Sequence, residues 1–506
     1  MIGRLPALTR GRTRALVPLA ALCLALVTLP AGAQNRSWPS ERPPRLLQPR
    51  PVNIPPYELR TLSNGLRVVV VSHHEQPAVS IRMLVRAGAA YDPPGKPGVA
   101  SLMGSLLDQG TTTRDAGEIA DTIDFIGGVL STGAGSDLAF VSSLVMKDSF
   151  QFGLELVSDV ARNPAFDPAE LDRQRQQALS SMQVSYEDPE YVANVVFDRL
   201  VYGFHPYGMP IGGTPESLIR ITQEDIETFH RRYFAPNNAL MAIVGDVTAE
   251  EAFATAEHVF GSWERQTVSL PSFPEPPGAT RRVIVVDKPD AVQTEVRVGH
   301  LGIPRRHDDY MALNLAIKVL GGEGSNRLHR VLRTERGLTY GAQAELDTFQ
   351  DTGDIVAITD TRSEATGEVL RLTVEEFFKM QRQRVFPREL VDAQAYLTGS
   401  YPLTIETPDA IATSVLNALF YDLPLDELET YRERVSAVTV EDVSRVARSF
   451  LQPDRLSIVL VGNAQAFLGQ LRGAGFDRYE VVPLPQLDLS SVDFTRRSAS
   501  GAVAAR

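Results

Sequence analysis

Thr222-Gln-Glu-Asp-Ile226 opens a helical pattern that runs into Phe234-Ala-Pro-Asn-Asn-Ala-Leu-Met-Ala-Ile-Val-Gly245. Thr439-Val-Glu-Asp-Val443 opens a second, running into Leu451-Gln-Pro-Asp-Arg-Leu-Ser-Ile-Val-Leu-Val-Gly462. The Thr, Glu, Asp, Pro and Gly positions of the two segments match at a constant offset of 217 residues. Each reads as an N-capped amphipathic helix, a proline stop and a buried strand ending at glycine. Five matches in register predict an internal duplication.

The Pro-rich stretch QTVSLPSFPEPPGAT, residues 266–280, separates the halves. Strands are expected at 66–72 and 79–85 in the first half, and at 283–286 and 294–300 in the second. Long helical patterns follow, such as 148–161 and 169–186. Strands come in adjacent pairs, which predicts an α+β fold of two homologous halves, each a largely antiparallel sheet packed with helices and arranged as a clamshell. The expected boundaries are a first domain over 57–265, a connector over 266–280, a second domain over 281–476 and a tail over 477–506, unstructured from about residue 490.

The 506-residue chain carries a net charge of −12. Basic residues cluster only at the extreme N-terminus, which argues against nucleic acid as a partner. Arg4, Arg10, Arg12 and Arg14 precede an apolar run from Ala15 to Leu29, and Ala31-Gly32-Ala33 offers a small-x-small cleavage site. Residues 1–33 therefore read as a secretory signal, and 34–56 as a Pro-rich lead-in. The apolar run is short for a membrane anchor, and no later stretch is apolar enough to span a bilayer. The single cysteine, Cys23, leaves with the signal, so disulfides and thiolate metal sites are excluded from the mature chain. A soluble protein of the bacterial periplasm is expected.

The stretch from Asn64 to Arg114, NGLRVVVVSHHEQPAVSIRMLVRAGAAYDPPGKPGVASLMGSLLDQGTTTR, resembles the opening of the pitrilysin/insulinase peptidase family. Ile126-Gly-Gly-Val-Leu, Asn163-Pro-Ala-Phe-Asp and Gly203-Phe-His-Pro-Tyr-Gly resemble it as well. Peptidases of that family carry H-x-x-E-H on a helix, two His on one face binding zinc and a Glu activating the metal-bound water, with a distant Glu as third ligand. Here Ser101 and Ser105 stand at the His positions and Gly104 at the Glu position. The distal ligand's place reads Leu179-Ser180-Ser181-Met182. By this resemblance the chain has lost its zinc site and carries no cofactor. His73 and His74 lie side by side in a polar turn and do not form an i, i+4 pair. His205 reads as a turn residue. Ser101 or Ser105 as a hydrolase nucleophile would need an adjacent base, and no His lies nearby in sequence.

Gly321-Gly-Glu-Gly324-Ser-Asn-Arg327-Leu-His-Arg-Val-Leu-Arg333-Thr-Glu-Arg-Gly337-Leu-Thr-Tyr340 resembles the family segment that carries an Arg and a Tyr seven residues apart. The resemblance implies that Arg333, late on a helix, and Tyr340, opening a strand over 340–348, bind the substrate carbonyl and stabilise its oxyanion. Gly321, Gly322 and Gly324 are expected in a mobile loop facing substrate. A peptide is expected to add as a strand near 129–134, where Ser131 replaces a family Asn. Some members of the family are heterodimers with the zinc motif on one subunit and the Arg/Tyr pair on the other. The resemblance implies a chain of the second kind, working in trans with a homologous zinc-bearing subunit on a peptide substrate. A catalytically inert peptide-binding or structural subunit is the alternative.

Overall fold

The computed structural model describes residues 55–278, 281–322, 324 and 326–496. The expected signal segment, nearly all of the lead-in and the last residues of the tail lie outside that range.

The first sheet contains β1 (Tyr57–Thr61), β2 (Arg67–Ser72), β3 (Ala78–Val85), β4 (Val129–Ala134), β5 (Ala139–Met146) and β6 (Ala239–Gly245), in the order β1-β2-β6-β3-β5-β4. The second contains β7 (Val283–Asp287), β8 (Gln293–Leu301), β9 (Ala342–Thr348), β10 (Gly353–Arg362), β11 (Ser457–Gly462) and β12 (Glu480–Pro483), in the order β12-β7-β11-β8-β10-β9. The helices of eight residues or more in the first half are α1 (Val99–Leu106), α2 (Ala116–Phe125), α3 (Phe150–Arg162), α4 (Pro168–Ser185), α5 (Pro189–Tyr202), α6 (Gln223–Tyr233) and α7 (Ala249–Phe260). Those of the second are α8 (Tyr310–Gly321), α9 (Thr366–Arg382), α10 (Pro387–Ser400), α11 (Pro408–Phe420), α12 (Asp426–Ala437), α13 (Val440–Phe450) and α14 (Ala464–Gly473).

The duplicated segments fold alike. Thr222 and Asp225 form a capping box at the start of α6, and Thr439 and Asp442 form its twin at α13. In each box the Thr hydroxyl accepts from the Asp backbone N–H while the carboxylate accepts from the Thr N–H, which satisfies two donors the helix leaves unpaired. The chain then turns at Pro236 or Pro453 into a fully buried strand. These strands, β6 and β11, lie parallel to β2 and β7 and antiparallel to β3 and β8. Burial on both sides explains their unbroken apolar reading.

Each sheet packs the helices of its own half on one face and borrows a helix for the other. The α5 helix of the first half lies on β8 and β11, and α11 of the second lies on β3 and β6. Ile411, Val415, Leu416, Leu419 and Phe420 of α11 are buried against Val69, Val71, Leu84, Leu240 and Val244. Full burial of one such side chain stabilises by roughly 1.5–3 kcal/mol. Separating the halves would therefore expose an apolar face on each sheet.

Two expectations are corrected. Tyr340 does not open a strand, because β9 begins at Ala342. The chain after 476 is not a loose tail as far as it is described. It adds β12 in parallel to β7, and Leu487, Leu489 and Phe494 are then buried in the core of the first half. Arg199 of α5 holds this strap through the Leu489 carbonyl at 2.8 Å, and Arg496 reaches Glu216 at 2.7 Å.

Candidate functional site

The α1 helix starts where the half-buried Asp92 carboxylate accepts backbone N–H groups from Gly98 at 2.6 Å and Ala100 at 2.7 Å. Those bonds favour its ionised form, yet burial outweighs them and pushes its pKa up to about 7. Gly98 has φ +102, and a Cβ there would meet the Gly212 carbonyl oxygen at 2.8 Å, so the turn into α1 needs glycine.

On α1, Ser101 and Ser105 are half-buried, and Ser105 Oγ donates to the Leu102 carbonyl at 3.0 Å. Gly104 is buried against the backbone of β4. A Cβ at 104 would lie 2.6 Å from the Gly133 carbonyl carbon, 2.8 Å from its Cα and 2.9 Å from Ala134 N. All of these are backbone atoms and cannot step aside, so this position takes no side chain. Ser180 and Ser181 are exposed on α4. Among the described residues no group of three or more His, Cys, Asp or Glu is placed to hold a metal ion. The residues of this region offer no zinc ligand set, and α1 leaves no room for a side chain at 104.

His74, His205 and His230 have structural partners. His74 Nδ1 pairs with Asp246 at 2.6 Å, and Lys147 reaches the same carboxylate at 2.9 Å. His205 Nδ1 accepts from Tyr207 N in a turn, as the sequence suggests. His230 is half-buried with Nε2 on the Ala161 carbonyl at 2.9 Å, and desolvation of its ring pushes its pKa down to about 4. Asp159 on α3 belongs to no motif in the sequence. It accepts from the hydroxyls of Thr111 and Thr113, from Arg114 and from Asn163, and so ties the GTTTR segment after α1 to α3.

The second candidate group is assembled by a π-helical turn, His329–Glu335. Arg327 anchors its entry through a two-point pair with Glu389 at 2.8 and 2.7 Å. Gly337, at φ +60, reverses the chain, and Leu338 N–H returns to the Leu332 carbonyl at 2.8 Å. The reversal lays Tyr340 back against the turn. The Arg333 guanidinium sits over the Tyr340 ring at 4.7 Å from its centroid, and its Nη1 lies 3.2 Å from His329 Nε2. Tyr340 is 82% exposed. Next to it, Thr339 Oγ is held by Gly341 and by Thr359 of β10. The wide turn of a π-helix places residues four apart nearly above one another, and such turns recur at functional sites.

The predicted pair is thus brought together, in a conformation that shows both polar heads to solvent. No hydrogen bond, ion pair or ring contact among the described residues links it to Ser101, Gly104 or Ser105. The three glycines do not form one loop. Gly321 is the last residue of α8, buried, and its Cβ would lie 2.1 Å from Ala344 N of β9. Gly322 is pressed on the Lys318 carbonyl, where a Cβ would meet the oxygen at 2.6 Å, and only Gly324 stands in open space. Ser131 lies on β4 opposite Ser142 of β5, at the edge of the first sheet.

The family model described as Insulinase (Peptidase family M16) matches residues 67–214, and that described as Peptidase M16 inactive domain matches residues 220–397. The chain belongs to the insulinase family. An uncharacterised zinc protease of Mycobacterium leprae is 28% identical over 77% of this chain and 88% of its own length. One of Bacillus subtilis is 22% identical over 78% of this chain and 95% of its own. A solved structure described as a peptidase M16 inactive domain from Pseudomonas fluorescens matches with a TM-score of 0.76 and 28% identity, covering 80% of this chain and 98% of that one. A protease from Helicobacter pylori shares the fold, with a TM-score of 0.75 at 23% identity over 80% of this chain and 99% of its own. This is an insulinase-family chain in which the described residues provide no metal-ligand set. No helix among them is long and apolar enough to cross a membrane.

Proposed function

We propose that this chain is the metal-free, substrate-side subunit of a heterodimeric insulinase-family peptidase, exported to the bacterial periplasm by a cleaved signal. Zinc belongs to a homologous partner carrying H-x-x-E-H. One observation carries the reading. Arg333 and Tyr340 remain together and exposed in a chain whose α1 has no room for the family's catalytic Glu. A fixed guanidinium and a phenol suit a peptide carbonyl on which negative charge develops. Among the described residues the outer edge of β4 pairs with no other strand, which leaves it open to an added peptide strand.

The test is reconstitution with such a partner. Arg333→Ala and Tyr340→Phe should each lower kcat of the mixture by about 100-fold or more, in the range seen when one oxyanion donor is removed. A double variant with full activity in the mixture would leave only an inert binding or structural subunit.

A further inference from the structure

A cavity of about 490 Å³ lies where the two halves meet the connector, with Arg199 and His205 from the first half, Arg282 and Ser457 from the second, and Glu275 from the connector in its wall. Arg199 is only 4% exposed. Its Nε donates to the Leu489 carbonyl at 2.8 Å and its Nη2 to the Ser491 carbonyl at 3.4 Å. Its Nη1 has no hydrogen-bond partner among the described residues. Among the described residues no carboxylate lies within ion-pair reach, and Asp488 acts on it only from farther away. The ring of Phe204, 3.7 Å from the guanidinium carbon, covers one face of the cation without neutralising it.

The other walls add donors and almost no acceptors. His205 Nδ1 accepts from Tyr207 N, which leaves the ring proton on Nε2, and Nε2 has no partner among the described residues. Ser457 Oγ, on a residue 3% exposed, has none either. Arg282 is already spent on both oxygens of Glu480, at 3.0 and 2.9 Å. Glu275 is exposed and the only carboxylate in the wall among the described residues. The donors of Arg199, His205 and Ser457 face the water-filled cavity, and a guanidinium so largely withdrawn from bulk solvent, with no counter-ion among the described residues, favours an anion beside it. All three residues line the same cavity, so an oxyanion inside it would find a cation and neutral donors in the walls.

We infer that this cavity is a binding site for an oxyanion, the carboxylate or phosphate-type group of a small ligand, held by Arg199, His205 and Ser457 across the junction of the halves. The site stands apart from Arg333 and Tyr340, and its test needs no partner subunit. The full chain is titrated calorimetrically with inorganic phosphate and with acetate, at constant ionic strength against chloride. Saturable one-to-one binding is expected for phosphate or acetate and none for chloride, and the better of the two identifies the group. Ser457→Ala should weaken that binding about fivefold, the equivalent of one hydrogen bond.

Arg199→Gln should abolish it, but Arg199 also holds the C-terminal strap. Ser457→Asp provides the independent check, because it places a carboxylate inside the cavity. It should raise Tm and eliminate the phosphate or acetate heat. Absence of saturable binding by either anion, unchanged affinity in Ser457→Ala, or a lower Tm in Ser457→Asp would each overturn the assignment.

Discussion

Gly104 on α1 and Gly321 on α8 are separated by the same 217 residues that relate the two capped helices. Both do the same work. Gly104 lets α1 rest on the backbone of Gly133 and Ala134 at the first sheet's edge, and Gly321 lets α8 rest on Gln343 and Ala344 at the second's. The first half has therefore taken the packing of its counterpart at the position where the family's peptidases carry a catalytic Glu. At this position the close approach of helix and strand, as well as the residue types, leaves no place for a Glu side chain. The Ser101→His, Gly104→Glu, Ser105→His chain should not regain a metal site unless β4 moves away from α1.

The largest effect is expected at the tighter of the two contacts. Gly321→Val drives a Cβ to 2.1 Å from a backbone nitrogen, and should cost about 3 kcal/mol or more in urea unfolding. Gly104→Glu should cost about 2 kcal/mol, with the nearest backbone atom at 2.6 Å. Wild-type stability of Gly104→Glu would break the comparison, since it would show that α1 can lift from β4 freely.

The borrowed helices sharpen the contrast between the halves. The α11 contact on the first sheet is apolar at its centre, with Asp409 accepting from Ser80 and lying 3.6 Å from Arg82, whereas α5 brings Asp198 and Tyr202 to the second sheet facing Asp354, Asp347 and Arg297. Tyr202 donates to Asp354 at 2.6 Å. Burial pushes Asp198 up to about 7, with Asp347 reinforcing the shift and Arg297 opposing it. Asp354 is driven up further by burial and by its acidic neighbours. A carboxyl that binds its proton more tightly folded than unfolded stabilises below its unfolded pKa, near 4, and loses that contribution as pH rises through the folded value. Stability should thus fall between about pH 4 and 7. Asp198→Asn should flatten that fall and gain on the order of 1 kcal/mol relative to wild type at pH 8, read by thermal unfolding across pH. An unchanged pH profile would detach Asp198 from the contact between the halves.

The smallest predicted effect tests the duplication itself. Thr222→Ala and Thr439→Ala each remove one capping box and should each cost about 1 kcal/mol. Costs that differ severalfold between the twins would mean the halves no longer use the motif in the same way.

The elements legible in the sequence were those with local signals. Both caps, both proline turns and both central strands stand where Thr222, Pro236, Thr439 and Pro453 place them, and the seven-residue spacing of Arg333 and Tyr340 does bring them into contact. Tyr340 was displaced from the strand because Gly337 and the π-helical turn use extra residues before β9 begins, and no periodicity reports a π-turn. The glycines were misread for a related reason. A glycine in a Gly-rich string looks the same in sequence whether it faces solvent, as Gly324 does, or a strand backbone, as Gly321 does. The strap over Leu487, Leu489 and Phe494 has no helical or alternating pattern, and its burial depends on a surface made by the first half.

What the sequence by itself determined is the chain's chemistry and its local geometry. Ser101, Gly104 and Ser105 offer no zinc ligand set, and the repeated caps and strands specify two similar halves through hydrogen bonds that span only a few residues. Tertiary structure alone decided that α5 and α11 are exchanged between the sheets, that Gly104 closes α1 onto β4, and that Arg199 faces a cavity with no counter-ion. Those outcomes depend on which backbones approach across some two hundred residues of chain, where distance and desolvation, rather than residue type, set the energy.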